Sequence, residues 1–373
     1  MRGSSLPTTA RAKADGRGRE PTVSNVVRAK RDREFGPGDR SEGGVPGIGT
    51  GVRPASSAAR RPLDFAILCE RYRDAPGGVG FDPRKSPERI ARALRVSPAT
   101  VRRRLGEWRK SGFFLGYEVL PHPEPLGGQL MARLLDFEDA IAQQEAVHFL
   151  ELIDGVVEIV PARSSLLVVH FVESERQAQR RLLQFREIKG VRRMGPEMPF
   201  PFAPCRRKMS RADWRLLQAL RNRPEASLSV LADALNQSPR TTSRRWNALL
   251  DAGAIVYDPI LDFSHFPLTV AVVVALLDSP QSAEPVAGAI RSLFPQSQQS
   301  HGPATVGPDQ QAQMVQFMMS APTAAELDRV SGDVARLPGV KNVFLWYEQT
   351  SIPVRDWLDG RIEAQLKMSR QEQ

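Results

Sequence analysis

The stretch Ser97-Pro98-Ala99-Thr100-Val101-Arg102-Arg103-Arg104-Leu105, continuing to Trp108 and Gly112, decides the fold. Ser97 is a good N-cap, and Pro98 fits the first helical position because no amide hydrogen is needed there. Val101, Leu105 and Trp108 recur at i, i+4 and i+7, which predicts one buried helix face. Arg102 and Arg103 then face outward, with Arg104 at the flank, and Gly112 stops the helix. The pattern recurs as Ser238-Pro239-Arg240-Thr241-Thr242-Ser243-Arg244-Arg245-Trp246, with Gly253 in the place of Gly112.

From Ile90 to Pro121 the chain aligns without gaps to Leu231 to Asp262. Ala91, Ala93, Leu94, Ser97, Pro98, Thr100, Arg103, Arg104 and Gly112 all meet the same residue type. That agreement predicts an internal duplication. Around each arginine-rich helix the punctuation matches. Ser86 and Ser227 cap a shorter helix before it, and apolar strands, Phe113–Leu120 and Ala254–Asp262, read as wings after it. Leu63, Ile67 and Leu68 begin the first unit, and Pro76–Lys85 is an insertion with a Gly-rich loop. Ser210 and Asp213 form a capping box ahead of Trp214, Leu217 and Leu220. Thr242, Trp246 and Leu249 are expected to face inward. Three helices and a wing predict two winged helix-turn-helix units, at 63–121 and 208–262.

A different pattern follows each unit. Strand Gln129–Phe137, helix Glu138–Leu152, strands Val156–Val160 and Leu166–Val172, helix Glu175–Ile188 and a strand from Val191 give the order βαββαβ over 126–200. A Pro-rich linker, Pro196 to Pro204, leads into the second half. There, strand Leu268–Leu277, helix Ala283–Leu293, a strand near Gln313–Met319, helix Thr323–Leu337 and strand Val340–Tyr347 predict the same unit over 266–350. That order implies ferredoxin-like antiparallel sheets with helices on one face. Val354–Met368 is a terminal helix within a tail at 353–373. The fold class is α+β, with two winged helix-turn-helix domains alternating with two ferredoxin-like domains.

The 373 residues are 41% hydrophobic, enough for sizeable cores. Formal net charge is +10, which suits a polyanionic partner. Residues 1–62 carry 13 Lys/Arg and 6 Asp/Glu, so the tail supplies 7 of that surplus and the remainder only 3. The tail is Gly-, Ser-, Pro- and Arg-rich and reads as disordered, either as a basic arm on phosphates or as a solvated extension. Cys69 and Cys205 form no CxxC pair, which fits a reducing cytoplasm. No apolar run suits a membrane span, and the N-terminus lacks a secretory h-region.

A DNA-recognition helix needs a short polar first turn that reaches base edges, and arginines that fork onto guanine or clamp phosphates. Ser97, Ala99, Thr100 and Arg103 occupy that turn in one copy, and Ser238, Arg240, Thr241 and Arg244 in the other. Arg102 and Arg104, with Ser243 and Arg245, are placed for backbone contact. An arginine-rich helix can also be only a solvated face. The second capped copy tips the balance toward double-stranded DNA. His122, His148, His170, His265 and His301 lack ligand spacing, and no phosphate loop, nucleophile elbow or paired-carboxylate constellation is present. No metal, cofactor or catalytic residue is expected, and the chain is not read as an enzyme.

The segment Ile90–Leu105, continuing through Gly112-Phe113-Phe114-Leu115-Gly116-Tyr117, resembles the leucine-responsive (Lrp/AsnC) transcription regulators, in a tandem form spanning 63–350. The resemblance implies a bacterial, cytoplasmic, nucleoid-associated regulator that self-associates through its sheet domains and senses an amino acid or related metabolite. Amino-acid-binding members carry a Gly-Asp-Tyr/Phe-Asp stretch between the second and third strands. Here that place reads Ala162-Arg163-Ser164-Ser165 in one copy and Thr305-Val306-Gly307-Pro308-Asp309 in the other. The alternative of the same architecture is the siroheme decarboxylase family, which uses histidines in the sheet domains. Only His170 and His301 fall near the relevant strands.

Overall fold

The computed structural model describes residues 61–76, 78–162, 164–200, 202–205, 207–295, 297–306 and 312–371. The basic tail expected at 1–62 lies almost wholly outside them. The first helical unit is α1 (Arg61–Tyr72), α2 (Pro87–Leu94) and α3 (Pro98–Ser111), followed by β1 (Phe114–Pro121). β2 (Gln129–Phe137), α4 (Ala140–Glu151), β3 (Val156–Ala162), β4 (Ser165–Val172), α5 (Glu175–Arg186) and β5 (Val191–Pro199) come next. The second half repeats the order. α6 (Arg211–Asn222), α7 (Leu228–Leu235) and α8 (Pro239–Asp251) lead to β6 (Ile255–Leu261). Then follow β7 (Thr269–Leu277), α9 (Ala283–Leu293), β8 (Gln298–Val306), β9 (Ala312–Ala321), α10 (Ala324–Ala335) and β10 (Val340–Tyr347). A short β11 (Ile352–Pro353) and α11 (Asp356–Gln371) close the chain.

Both sheets have ferredoxin-like order. The first runs β11-β3-β4-β2-β5 and the second β10-β7-β9-β8. All described pairings are antiparallel. One face of the first sheet holds Leu166, Val168 and Leu135 against Leu150 and Phe185 of its helices. The other face presents Ala132, Leu167 and Val169 to a core shared with Val272 and Val274 of the second sheet. Period-two alternation thus buries both faces. β8 lies at the edge of its sheet and is absent from the sequence reading. Its Gln298-Gln299-Ser300-His301-Gly302-Pro303 start has no apolar alternation to betray it.

The two wings differ from expectation. Neither folds back as a separate wing. β1 and β6 instead pair with each other, antiparallel, from Phe114↔Leu261 to Pro121↔Ile255, in a two-stranded ribbon that joins the halves. The chain end adds a second tie. β11 adds to the edge of the first sheet, and Trp357 packs on Phe171 with ring centroids 5.1 Å apart. The buried Arg221 donates to Asp359 at 2.6 Å and meets Glu118 at 2.7 Å.

The Pro76–Lys85 insertion has a structural role. Phe81 donates its amide to the Tyr257 carbonyl at 2.7 Å, fixing the loop to β6. Lys85, buried, donates Nζ to the Glu70 and Arg73 carbonyls, each at 2.6 Å, so a cation closes the C-terminal end of α1. Gly80 makes the approach possible. Its φ is +73°, and a Cβ there would sit 2.4 Å from the Tyr257 oxygen. Gly80→Ala should therefore cost about 2 kcal/mol or more, combining left-handed strain with a backbone clash. Urea unfolding that left the midpoint unchanged would contradict this account.

Candidate nucleic-acid interface

Each helix-turn-helix is built from local signals. Ser86 and Ser97 accept the amides of Arg89 and Thr100, and Ser227 and Ser238 those of Val230 and Thr241. Between the two helices the chain turns through a left-handed residue, Arg95 (φ 55°) in one unit and Asn236 (φ 53°) in the other. Asn tolerates this conformation better than Arg, so the first turn holds more strain. Thr100 and Thr241 hydroxyls lie 2.8 and 2.9 Å from the cap hydroxyls, which fixes both first turns. Pro98 and Pro239 carry no amide hydrogen and the caps take those of Thr100 and Thr241, so each first turn leaves one amide, that of Ala99 or Arg240, at the end of a helix that attracts phosphate.

The predicted side chains divide into three groups. Arg104 and Arg245 are corrections, because they do not lie on a DNA-facing flank. Arg104, 7% exposed, meets Asp64 at 3.3 Å and Glu107 at 3.2 Å. Asp64 also accepts the Trp108 indole at 3.2 Å. Arg245 meets Asp213, which is fully buried, at 2.8 Å. Both arginines therefore bolt the third helix of a unit to an aspartate of its first helix. Burial pushes the Asp64 carboxyl up, against the opposing charge of Arg104. Burial acts the same way on Asp213. There the Ser210 amide, Arg245, the Ser210 hydroxyl and Arg207 outweigh it and hold the carboxyl below its usual range.

Arg102 and Arg103 form the second group. Both are exposed and both are already engaged, Arg102 with Glu88 and Arg103 with Glu107, the latter at 2.8 Å. Hydrogen bonds, the backbone amide first and then Arg102, hold the Glu88 carboxyl below its usual range. The third group is Arg240 and Arg244. Both are exposed and make no ion pair among the described residues. The aligned positions explain the difference, since Ser229 stands where the first unit has Glu88, and Ala248 where it has Glu107. Ala99 and Ser238 are exposed, Thr100 and Thr241 half-buried, and Ser243 lies 3.5 Å from the Asn247 amide. Thr242 is fully buried and Trp108 nearly so, as the helical spacing predicts. Trp246 is half-buried and donates to the Tyr257 hydroxyl at 2.9 Å.

The two units are locked in place relative to each other. The β1–β6 ribbon carries both. Arg109 at the end of α3 forms a two-bond fork with Glu225 of the second unit, at 2.7 and 3.1 Å, and lies 4.6 Å over the Phe114 ring. Arg84 pairs with Asp251. Trp108 packs edge-on against Phe113 and reaches Phe266 of the other half.

His170 is fully buried, packs on Phe185 and contacts Glu197 at 3.1 Å. His122 donates its Nε2–H to the Ala203 carbonyl at 2.9 Å. Among the described residues no group of three or more His, Cys, Asp or Glu could hold a metal ion, and no helix is long and apolar enough to cross a membrane.

Residues 209–256, within the second unit, match the winged helix-turn-helix DNA-binding family. No curated protein sequence matches the chain. Among solved structures, the siroheme decarboxylase NirDL aligns over 83% of this chain and 99% of its own, at 14% identity and TM-score 0.46. AsnC of E. coli aligns over 39% of this chain and 95% of its own, at 20% identity and TM-score 0.26. A transcriptional regulator of Neisseria meningitidis, solved with L-methionine, aligns over 37% and 86%, at 18% identity and TM-score 0.25.

Proposed function

We propose that this chain is a sequence-specific, double-stranded-DNA-binding transcription regulator of the Lrp/AsnC kind. One polypeptide supplies, by tandem duplication, the pair of readers that simpler members assemble from two chains. The observation that carries the reading is the pair of capped, solvent-facing helices, α3 and α8, held on one ribbon, with Arg240 and Arg244 exposed and unpaired. The match of the second unit to DNA-binding winged helices supports it. The two readers are not equivalent, so the operator is an imperfect palindrome or an asymmetric site. In this reading the protein works in the bacterial cytoplasm on the nucleoid, and copies associate further through the sheet domains.

A tetrapyrrole decarboxylase is the reading this chain favours less. Its substrate carries several carboxylates, which call for cations, whereas the cavity between the sheets is lined by Glu158, Asp258 and Glu348 with Arg73 at its rim. We read the chain as a regulator and not as an enzyme. The purified protein is then colourless and does not take up a tetrapyrrole. The deciding measurement is a mobility-shift comparison, at moderate salt, of the DNA upstream of its own gene with random DNA of equal length. A clear preference is expected, and equal affinity would sink the regulatory reading.

A further inference from the structure

The cavity between the two sheets, the ribbon and the end of α1 holds about 390 Å³. Three carboxylates from distant parts of the chain line it: Glu158 of β3, Asp258 of β6 and Glu348 just beyond β10. Ser351 beside Glu158 and Trp346 beside Glu348 favour the charged carboxylates, while the Asp258 side chain has no hydrogen bond among the described residues. None of the three has a cationic partner there. Arg73 at the rim is exposed and bound to Glu70 at 3.1 Å. The contrast across the ribbon is sharp. Glu118, directly opposite Asp258, is paired with Arg221 at 2.7 Å and Arg355 at 3.4 Å.

A second observation is independent of charge. Gln316, 7% exposed, lines the same cavity. Among the described residues its carbonyl oxygen accepts no hydrogen bond, and its Nε2 reaches only the Met314 sulfur, 3.5 Å away, a weak acceptor. A buried amide in that state calls for a ligand with hydrogen-bond donors. Trp346, Phe200 and Tyr72 supply aromatic surface, on which an alkylammonium group is favoured. The three carboxylates do not converge on a single metal ion.

We propose that this cavity binds an aliphatic di- or polyamine, its ammonium groups taken by Glu158, Asp258 and Glu348 and its methylene chain lying against the apolar walls. A free amino acid would carry its own carboxylate into an anionic site, and a tetrapyrrole several. The inference does not rest on the DNA-binding reading, so either can fail alone.

The empty site behaves as a proton store. Burial pushes Glu158 and Glu348 up to about 7, and Asp258 well above the carboxylate range, helped by their mutual repulsion and by Glu118. The other titratable or charged groups facing them are Tyr72, whose phenol is itself pushed up by burial and these carboxylates, and Arg73 and Asp74 at the rim. An entering ammonium displaces these protons, so affinity rises with pH through about 7. The folded state holds these protons more tightly than the unfolded chain. Amine-free stability therefore falls as pH rises above the ordinary carboxylate range through about 7.

The test is calorimetric titration of the full chain with putrescine and with spermidine, at pH 8 and pH 6 and constant ionic strength, with L-lysine and Mg²⁺ as comparators. Saturable amine binding is expected at pH 8, weakened at least about tenfold at pH 6 and in Asp258→Asn/Glu348→Gln. That variant should also melt at a higher temperature than the unsubstituted protein in amine-free buffer at pH 8, because uncompensated buried charge has been removed. If the double variant does not fold, Asp258→Asn alone carries the comparison. Absence of saturable binding, equal binding by the folded variant, or equal binding of L-lysine or Mg²⁺ would overturn the proposal.

Discussion

Asp213→Ala should cost about 3 kcal/mol, among the largest losses available to a single surface-distant side chain in this protein. The fully buried carboxylate accepts from the Ser210 amide and hydroxyl, each at 2.8 Å, and meets two guanidiniums. Alanine removes the capping box of α6 and leaves Arg245 beside an apolar core with its counter-charge gone. The Arg245 side chain retains 23% exposure, so water recovers part of the loss and the cost stays at the lower end of the range for a broken buried pair. Urea unfolding measures it, and a loss below about 1 kcal/mol would show that Arg245 escapes to solvent.

Asp64 occupies the matching place in the first unit but responds to pH with the opposite sign. Its carboxyl is raised, so its contribution is present in acid and lost as pH rises through its folded pKa. That of Asp213 is lowered, so its contribution is present above the ordinary aspartate range and lost as pH falls through its folded pKa. Below about pH 4 the second unit should loosen before the first, which amide exchange resolved by unit would detect. The cause is the number of donors. Asp213 has a backbone amide, a hydroxyl and two guanidiniums, whereas Asp64 has one guanidinium at 3.3 Å and an indole, with Glu107 close by.

How much of this was legible follows from the range of each interaction. Caps at Ser86, Ser97, Ser210, Ser227 and Ser238 are set by neighbours three residues away, and sequence alone places them. The helical spacing of Val101, Leu105 and Trp108 fixes the buried face, yet Arg104 lies between them on the same face. Its inward turn could have been read from the wheel together with Asp64 in the first helix of the unit. The β1–β6 pairing was not legible, because each strand has a wing's pattern and only tertiary register selects its partner. Glu158, Asp258 and Glu348 belong to no motif and meet only through topology. The unequal charge of α3 and α8 is visible in the aligned pairs Glu88/Ser229 and Glu107/Ala248.

That inequality yields the second large effect. In the proposed regulator, Arg240→Ala and Arg244→Ala should each weaken operator binding by about 1–3 kcal/mol, because neither guanidinium has an ion pair among the described residues and both can meet DNA without first giving up a partner. Arg102→Ala and Arg103→Ala should each cost less, since those groups must release Glu88 or Glu107 before they contact DNA. Conversely, Glu88→Gln should strengthen binding, by freeing Arg102 and removing a negative charge from the approach to phosphate. The salt dependence then sorts the contacts. An arginine on phosphate lowers the slope of log K against log salt by about 0.9 on replacement, and does so on any sequence. An arginine that forks onto guanine loses discrimination at one base pair. If the first-unit pair proves the costlier, or Glu88→Gln weakens binding, the acidic partners of α3 are part of the reading surface and the asymmetry runs the other way.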